Sequence, residues 1–295
     1  MTESFDIWMR SVQSCVEKKL SELLPSENRT PQRLHEAMRY AVLDGGKRIR
    51  PLLVFATGTL FGAKTSVMAQ VASAVEMIHA YSLIHDDMPC MDNDVLRRGK
   101  PTVHVQFGEA MALLAGDALQ AQAFVILSNV NDDAVLAVKR YQILSGAAGS
   151  LGMCGGQAID LDSIGKQLTV EQLEQMHRLK TGALLKASVM LGALSAKIPS
   201  PEENRALEEY AKATGLAFQV VDDILDVTAD SEILGKTPGK DVMNHKPTYV
   251  SLLGLENSKK LAEQLRRQAH DVLEPFGKKA DYLRELADLV VYRKK

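Results

Sequence analysis

The sequence predicts an all-α protein, a single domain over residues 1–295, on three observations. Ala, Leu, Met, Glu, Lys and Gln abound while aromatic residues make up only 5% of the chain, a composition that favours helices over sheets. Apolar residues recur at three- and four-residue spacings through long stretches. No strand-length alternation of apolar and polar residues stands out, and the one Asp-Gly step, Asp44-Gly45, precedes a Lys-Arg cluster and reads as a helix end or turn, not a hairpin.

Taken in order, the N-terminal stretch Met1 to Leu20 carries Glu3, Asp6, Glu17 and lysines among its apolar positions. It is not expected to be a signal peptide. Met68 to Ile84 repeats Met68, Val71, Ala72, Val75 and Ile78 at helical spacing. Ala110 to Leu127 is the most apolar stretch, but Asp117, Gln120 and Gln122 interrupt it, which argues against a bilayer span. Ser145 to Gly156 places glycines three apart, at 146, 149, 152 and 155. It reads either as a loop or as a small-residue stripe on a helix that admits a close neighbour. Val170 to Leu194 and Ala206 to Leu225 are helical, and Lys259 to Leu273 predicts an amphipathic surface helix with Arg266, Arg267 and His270 outside. Breaks at Leu24-Pro25, Thr30-Pro31, Gly62, Gly99 to Pro101, Asn129 to Asp133, Ile198 to Pro201 and Gly235 to Pro247 leave about ten helices joined by short connectors.

Composition narrows the function classes. A hydrophobic content of 46% supplies a sizeable core, and 35 basic against 37 acidic residues give a net charge of −2. Nothing in that balance calls for nucleic acid or an anionic membrane, so any positive site must be local. Cys15, Cys90 and Cys154 are three and widely spaced, which predicts reduced thiols in a soluble cytoplasmic protein and no zinc site.

Two Asp clusters, each closing an apolar helical run, carry the chemistry. In Asp222-Asp223-Ile224-Leu225-Asp226, the first and last carboxylates lie one turn apart on one face, a clamp for a hard cation. In Asp86-Asp87-Met88-Pro89-Cys90-Met91-Asp92, the outer two would point roughly 120° apart on a straight helix. Pro89 between them should distort the turn and bring both to one site. Crowded carboxylates repel unless cations neutralise them, and magnesium, which bridges carboxylates to phosphates, suits them. Either cluster alone is weak; the pair is not. Basic residues stand beside both: Lys47, Arg48 and Arg50 after Gly45-Gly46, Arg97-Arg98 after the first cluster, Lys180 within an apolar helix, and Lys236, Lys240 and Lys246 after the second. Guanidinium forks suit phosphate oxygens.

Together, GGKRIRP (45–51), HAYSLIHDDMPCMDNDVLRRGKPT (79–102), GDAL (116–119), GGQAIDL (155–161), HRLKTGAL (177–184), GLAFQVVDDILD (215–226) and GKTPGKDVMNHKPTY (235–249) resemble the trans-isoprenyl diphosphate synthases, the bacterial farnesyl branch most of all. The resemblance implies a bundle of mostly antiparallel helices around a deep central cavity, in a homodimer. It implies three Mg²⁺ ions held by Asp86, Asp92 and Asp222, with Asp87, Asp223 and Asp226 supporting. Arg97, Lys180 and Lys246 would grip an allylic diphosphate, with Lys236 nearby; Lys47, Arg50, His79 and Arg98 would bind isopentenyl diphosphate; Thr181 and Gln219 would face the allylic cation. Charge developing on the leaving diphosphate, and a cation kept from water, are what such a site must manage.

The expected product is farnesyl diphosphate, with geranylgeranyl or geranyl diphosphate as alternatives, because the first cluster carries the extra Pro89-Cys90 pair found in both farnesyl and geranylgeranyl branches. Tyr81, five residues before Asp86, should project to the deep end of the cavity and stop growth at farnesyl length, with the small Ser82 beside it leaving room. Three other readings are weaker. A metal phosphohydrolase built on His85-Asp86 lacks further clustered histidines. A regulatory subunit that has lost catalysis would have damaged motifs. A terpene cyclase would not need the GGKRIRP segment.

Overall fold

The computed structural model describes residues 3–43, 45–130, 133–228 and 247–293, and almost all of their regular structure is helical. Helix α1 (Glu3–Leu23) is amphipathic and buries Phe5, Val12, Val16 and Leu20. Helix α2 (Gln32–Val42) follows, and α3 (Ile49–Leu60) and α4 (Thr65–Asp86) are apolar nearly all round and lie in the core, as helices without a polar face must. After the first Asp cluster come the short α5 (Val103–Phe107), α6 (Glu109–Ser128), α7 (Ala134–Ala148) and α8 (Met153–Asp162). Asp133 caps α7 by accepting from Val135 and Leu136 N–H at 2.7 and 3.4 Å. The glycine stretch 145–156 is thus helix, a turn at 149–152, and helix again.

The expected helix over 170–194 is divided. Helix α9 (Val170–His177), opened by a Thr169–Gln172 capping box, passes into a π-helical turn at Arg178–Gly182 before α10 (Ala183–Leu194). Helix α11 (Pro201–Thr228) is the longest; α12 (Tyr249–Leu253), α13 (Leu255–Asp271), a 3₁₀ segment at Glu274–Ala280 and α14 (Asp281–Tyr292) complete the described chain.

One continuous core gathers residues from α1 through α14, from Phe5 to Val290. Helices α3 and α10 cross closely within it, where a β-carbon on Gly192 would stand 2.6 Å from the Val54 carbonyl oxygen. On α13, Arg267 is exposed as expected, while Arg266 and His270 are only partly exposed, both pairing with Asp288 of α14 at 2.8 Å. Helices α4 and α6 are long and apolar enough to cross a membrane by length and composition alone, a test that core helices of soluble proteins also pass. Helix α4 is mostly buried, whereas α6 leaves Leu113, Leu114 and Val125 exposed.

Candidate active site

The first Asp cluster is made by ending a helix, not by bending one. Helix α4 stops at Asp86, Met88 N–H donates to His85 C=O at 3.1 Å, and Asp92 N–H returns to the Asp86 carbonyl at 2.9 Å. Pro89, with no N–H to give, sits exposed on the crest. Asp92 is folded back beside Asp86, so the two carboxylates act on one another. Burial raises the Asp86 carboxyl to about 6; Lys180 opposes that rise and the like charge of Asp92 adds to it. Asp87 is spent differently. It is 3% exposed and takes a fork from Arg97, with Nη2 at 2.6 Å and Nε at 2.8 Å.

A two-residue antiparallel pair that the sequence did not announce, β1 (Leu96–Arg97) with β2 (Lys100–Pro101), separates the paired arginines. Arg98 and Gly99 turn it, with φ of 54° and 75°, the left-handed pair that matches strand twist. Arg97 is thereby sent to Asp87. Arg98 lies over the glycine loop, where a β-carbon on Gly45 or Gly46 would meet its guanidinium at 2.9 or 2.7 Å. No residue but glycine leaves that guanidinium its seat.

The segment before α3 turns on Gly46 (φ 87°) and Arg48 (φ 55°). A left-handed Arg costs about 1–2 kcal/mol, and the buried contacts of its guanidinium hold it there. Arg48 reaches Glu76 of α4 at 2.6 Å, Glu17 of α1 at 2.7 Å and the Val42 carbonyl at 2.7 Å. Lys47 is exposed, its carbonyl accepting from the Gln13 amide at 2.9 Å. Arg50 has a buried Nε without a partner, and its charge is felt by Glu76, Arg98 and Asp222. His79, one turn after Glu76, is driven well below the ordinary histidine range by burial and by Arg50, Arg98, Arg97 and Arg48 together. Its imidazole is neutral.

The π turn carries Lys180 and Thr181, both half-buried. Such an insertion swings side chains out of helical register. Lys180 Nζ donates to Asp160 Oδ2 on α8 at 2.7 Å. Helix α8 approaches so closely that a β-carbon on Gly156 would fall 2.0 Å from the Lys180 nitrogen, which is the small-residue contact among the readings open at 145–156. Around this turn the His177 ring stacks on Tyr249 at 5.8 Å, both its nitrogens buried without partners, and burial lowers it to about 4.

On α11, Gln219 is half-buried and Asp222 is exposed. Asp222 accepts from Arg293 at 2.6 Å, and that guanidinium stacks on Phe218 at 3.8 Å. Asp223 is buried and takes the Tyr249 N–H at 2.7 Å, tying α12 to α11. Asp226 is half-buried. Lys236, Lys240 and Lys246 lie outside the described residues.

Tyr81 is 8% exposed. It meets His85 edge-on at 5.8 Å and lies close enough to Gln120 of α6 and Cys154 of α8 for both to act on its hydroxyl. Ser82 turns its hydroxyl onto the His79 carbonyl at 2.9 Å. His85 occupies the face of Gly116, where a β-carbon would stand 2.1 Å from Nε2, and contacts the Leu113 carbonyl at 3.2 Å. Its place in the α4–α6 contact leaves nothing for a phosphohydrolase. The three cysteines are free, Cys90 and Cys154 exposed.

Among the described residues no three carboxylate, histidine or cysteine side chains converge as a ready metal cage. Asp86 and Asp92 adjoin; Lys180 acts electrostatically on Asp86, and Arg50 interacts with Asp222. Sequence reasoning missed Glu76, Asp160 and Arg293. Asp160 stood inside a quoted motif and Arg293 within Val290 to Lys295, a weaker tail of the resemblance; Glu76 carries no local signal, because its partner is 28 residues away.

Comparison with known proteins gives the same direction throughout. Residues 31–284 match the family model described as polyprenyl synthetase. Farnesyl diphosphate synthase of Escherichia coli is 50% identical over 92% of this chain and 92% of its own. The heterodimeric geranylgeranyl pyrophosphate synthase large subunit 1 of Arabidopsis thaliana is 48% identical over 94% of this chain and 76% of its own. The geranyltransferase of Helicobacter pylori, solved with magnesium and isoprenyl diphosphate, superimposes with a TM-score of 0.82 at 35% identity, over 96% of each chain.

Proposed function

This chain belongs to the polyprenyl synthetase family, and from that premise we propose that it condenses isopentenyl diphosphate with dimethylallyl and geranyl diphosphate to give farnesyl diphosphate. The observation that carries this reading is the pair of Asp clusters on separate helices, each met by its own basic side chains: Lys180 and Arg97 at Asp86 and Asp87, Arg50 and Arg293 at Asp222.

The carboxylates fit magnesium. Asp86 is raised to about 6 by burial, with Asp92's charge adding to the rise, so a hard cation there relieves both costs. Asp222, in turn, already accepts a cationic guanidinium. Asp86, Asp92 and Asp222 would hold the ions, three in number by resemblance, and their chemistry is charge neutralisation of the departing diphosphate.

The chain's own residues supply the rest. Lys180 and Arg97 flank the first cluster and grip the allylic diphosphate, with Lys236 and Lys246 from outside the described residues. They strengthen their hold as charge develops, which is what accelerates the step. Lys47, Arg50 and Arg98 take the isopentenyl diphosphate by charge. His79, kept neutral by the arginines around it, serves as a hydrogen-bond partner only. Thr181 and Gln219 turn uncharged dipoles to the allylic cation without capturing it. The proton lost after condensation leaves with the diphosphate.

Geranylgeranyl diphosphate is the second reading, favoured by the Arabidopsis relative. Tyr81, buried against α6 and α8 as a floor would be, favours farnesyl. We place the enzyme in the cytoplasm, as a homodimer of single-domain chains. Chromatography of the product from labelled isopentenyl diphosphate with geranyl diphosphate, with and without Mg²⁺, tests this. A magnesium-dependent farnesyl product is expected, and no prenyl product under either condition refutes it.

A further inference from the structure

The proposed isopentenyl diphosphate subsite is unusually rich in positive charge: Arg50, Arg97, Arg98 and Arg48 all act on His79. Glu76 is the buried carboxylate that answers it, with the more exposed Glu17 acting on Arg48 and Arg98 beside it. Glu76 is 3% exposed, and Arg48, Arg50 and Arg98 all feel its charge. It touches one of them directly. Arg48 Nη1 donates to Glu76 Oε2 at 2.6 Å. Arg48 lies between Lys47 and Ile49, in the left-handed conformation that turns the glycine loop into α3. Through Glu17 and the Val42 carbonyl, the same guanidinium also grips α1 and the end of α2. Glu76 meanwhile stands one turn before His79 on α4. One buried pair thus joins the element carrying His79 to the turn carrying Lys47 and Arg50, over which Arg98 is laid.

We propose that Glu76 and Arg48 are positioning residues for the isopentenyl diphosphate subsite: neither contacts substrate, and their ion pair sets the turn that aims Lys47 and Arg50 beside His79. This rests on the function proposed above. A buried pair of this kind contributes little net stability over apolar replacements, yet removing one partner leaves an uncompensated charge. Its use here is registry, because cations left to repel one another would splay apart.

Steady-state constants for each substrate, read with thermal melting, test the proposal. Glu76→Gln is expected to raise the KM for isopentenyl diphosphate tenfold or more. The KM for geranyl diphosphate and its Mg²⁺-dependent ionisation without a co-substrate should stay within twofold. Glu76→Asp should recover most of the loss. Should Glu76→Gln fail to fold, the double variant Arg48→Met with Glu76→Gln removes both charges and should fold while keeping the raised KM. If Glu76 merely damped the positive field, folded Glu76→Gln would bind isopentenyl diphosphate more tightly and the charge-balanced double variant would leave its KM unchanged; either outcome overturns the proposal. So does an unchanged KM in a folded variant of an active parent. A parent that joins no isopentenyl diphosphate to any allylic substrate refutes the proposed function itself, and this inference with it.

Discussion

At the scale of single residues, identical side chains one position apart do different work. Asp86 is strained by burial and by Asp92, while Asp87 is satisfied by a two-pronged arginine. Asp86→Asn or Asp222→Asn should therefore lower turnover by two or more orders of magnitude at saturating Mg²⁺, since each removes a group acting on transition-state charge. Activity near the parent's in either variant contradicts the assignment. Tyr81 makes a second residue-scale prediction. Its ring is buried and packs edge-on against His85, so Tyr81→Ala opens space without touching the diphosphate side. The product should lengthen to geranylgeranyl or beyond, with ionisation of the allylic substrate intact. An unchanged chain length from an active variant would rule Tyr81 out.

At the scale of elements, the π turn and α8 form one unit, and its weak points are Gly156 and His177. Gly156→Ala puts a methyl 2.0 Å from the Lys180 nitrogen, so backbone must move. Overpacking of this kind costs typically about 1–3 kcal/mol, and displacement of Lys180 should cut turnover further than the melting point alone suggests. His177 gives a pH signature. Burial holds it to about 4 in the fold, against about 6.5 unfolded. The unfolded chain takes up the proton first, so this residue's contribution is present above pH 6.5 and is lost as pH falls toward 4. The loss is on the order of 3 kcal/mol. Asp86, raised to about 6, acts with the opposite sign over its own range. The difference between parent and His177→Phe isolates the histidine. Denaturant unfolding from pH 7 to pH 4 should show a shallower loss for the variant; parallel curves would refute the buried neutral ring.

At the scale of the whole molecule, α6 and α7 expose Leu113, Leu114, Val125, Val135 and Val138. Helix α6 has acidic residues at Glu109 and Asp117 and no basic ones. Leu114 and Val125, 51% and 50% exposed, are about three helical turns apart and so share a face. A homodimer would cover them. Sedimentation should give a two-chain species for the parent and a single chain for Leu114→Glu with Val125→Glu. A parent that sediments as a monomer removes the dimer.

The sequence by itself determined that this chain is helical and where its core helices run, and it supplied the acidic and basic residues proposed for the site. Helical periodicity and short motifs are local properties, written within a few turns. It predicted Val170 to Leu194 as one helix, since a π turn adds a single residue and leaves apolar spacing nearly intact. It expected Pro89 to distort the turn and bring Asp86 and Asp92 to one site, and the chain does this by leaving the helix and closing Asp92 back on Asp86. Only the tertiary structure decided how the charges are shared: Asp87 to Arg97, Asp222 to Arg293, Lys180 to Asp160, Arg48 to Glu76. Those pairings join residues up to 71 positions apart, and a carboxylate's partner is set by which helix packs beside it, a property of the whole core that no short stretch of sequence contains.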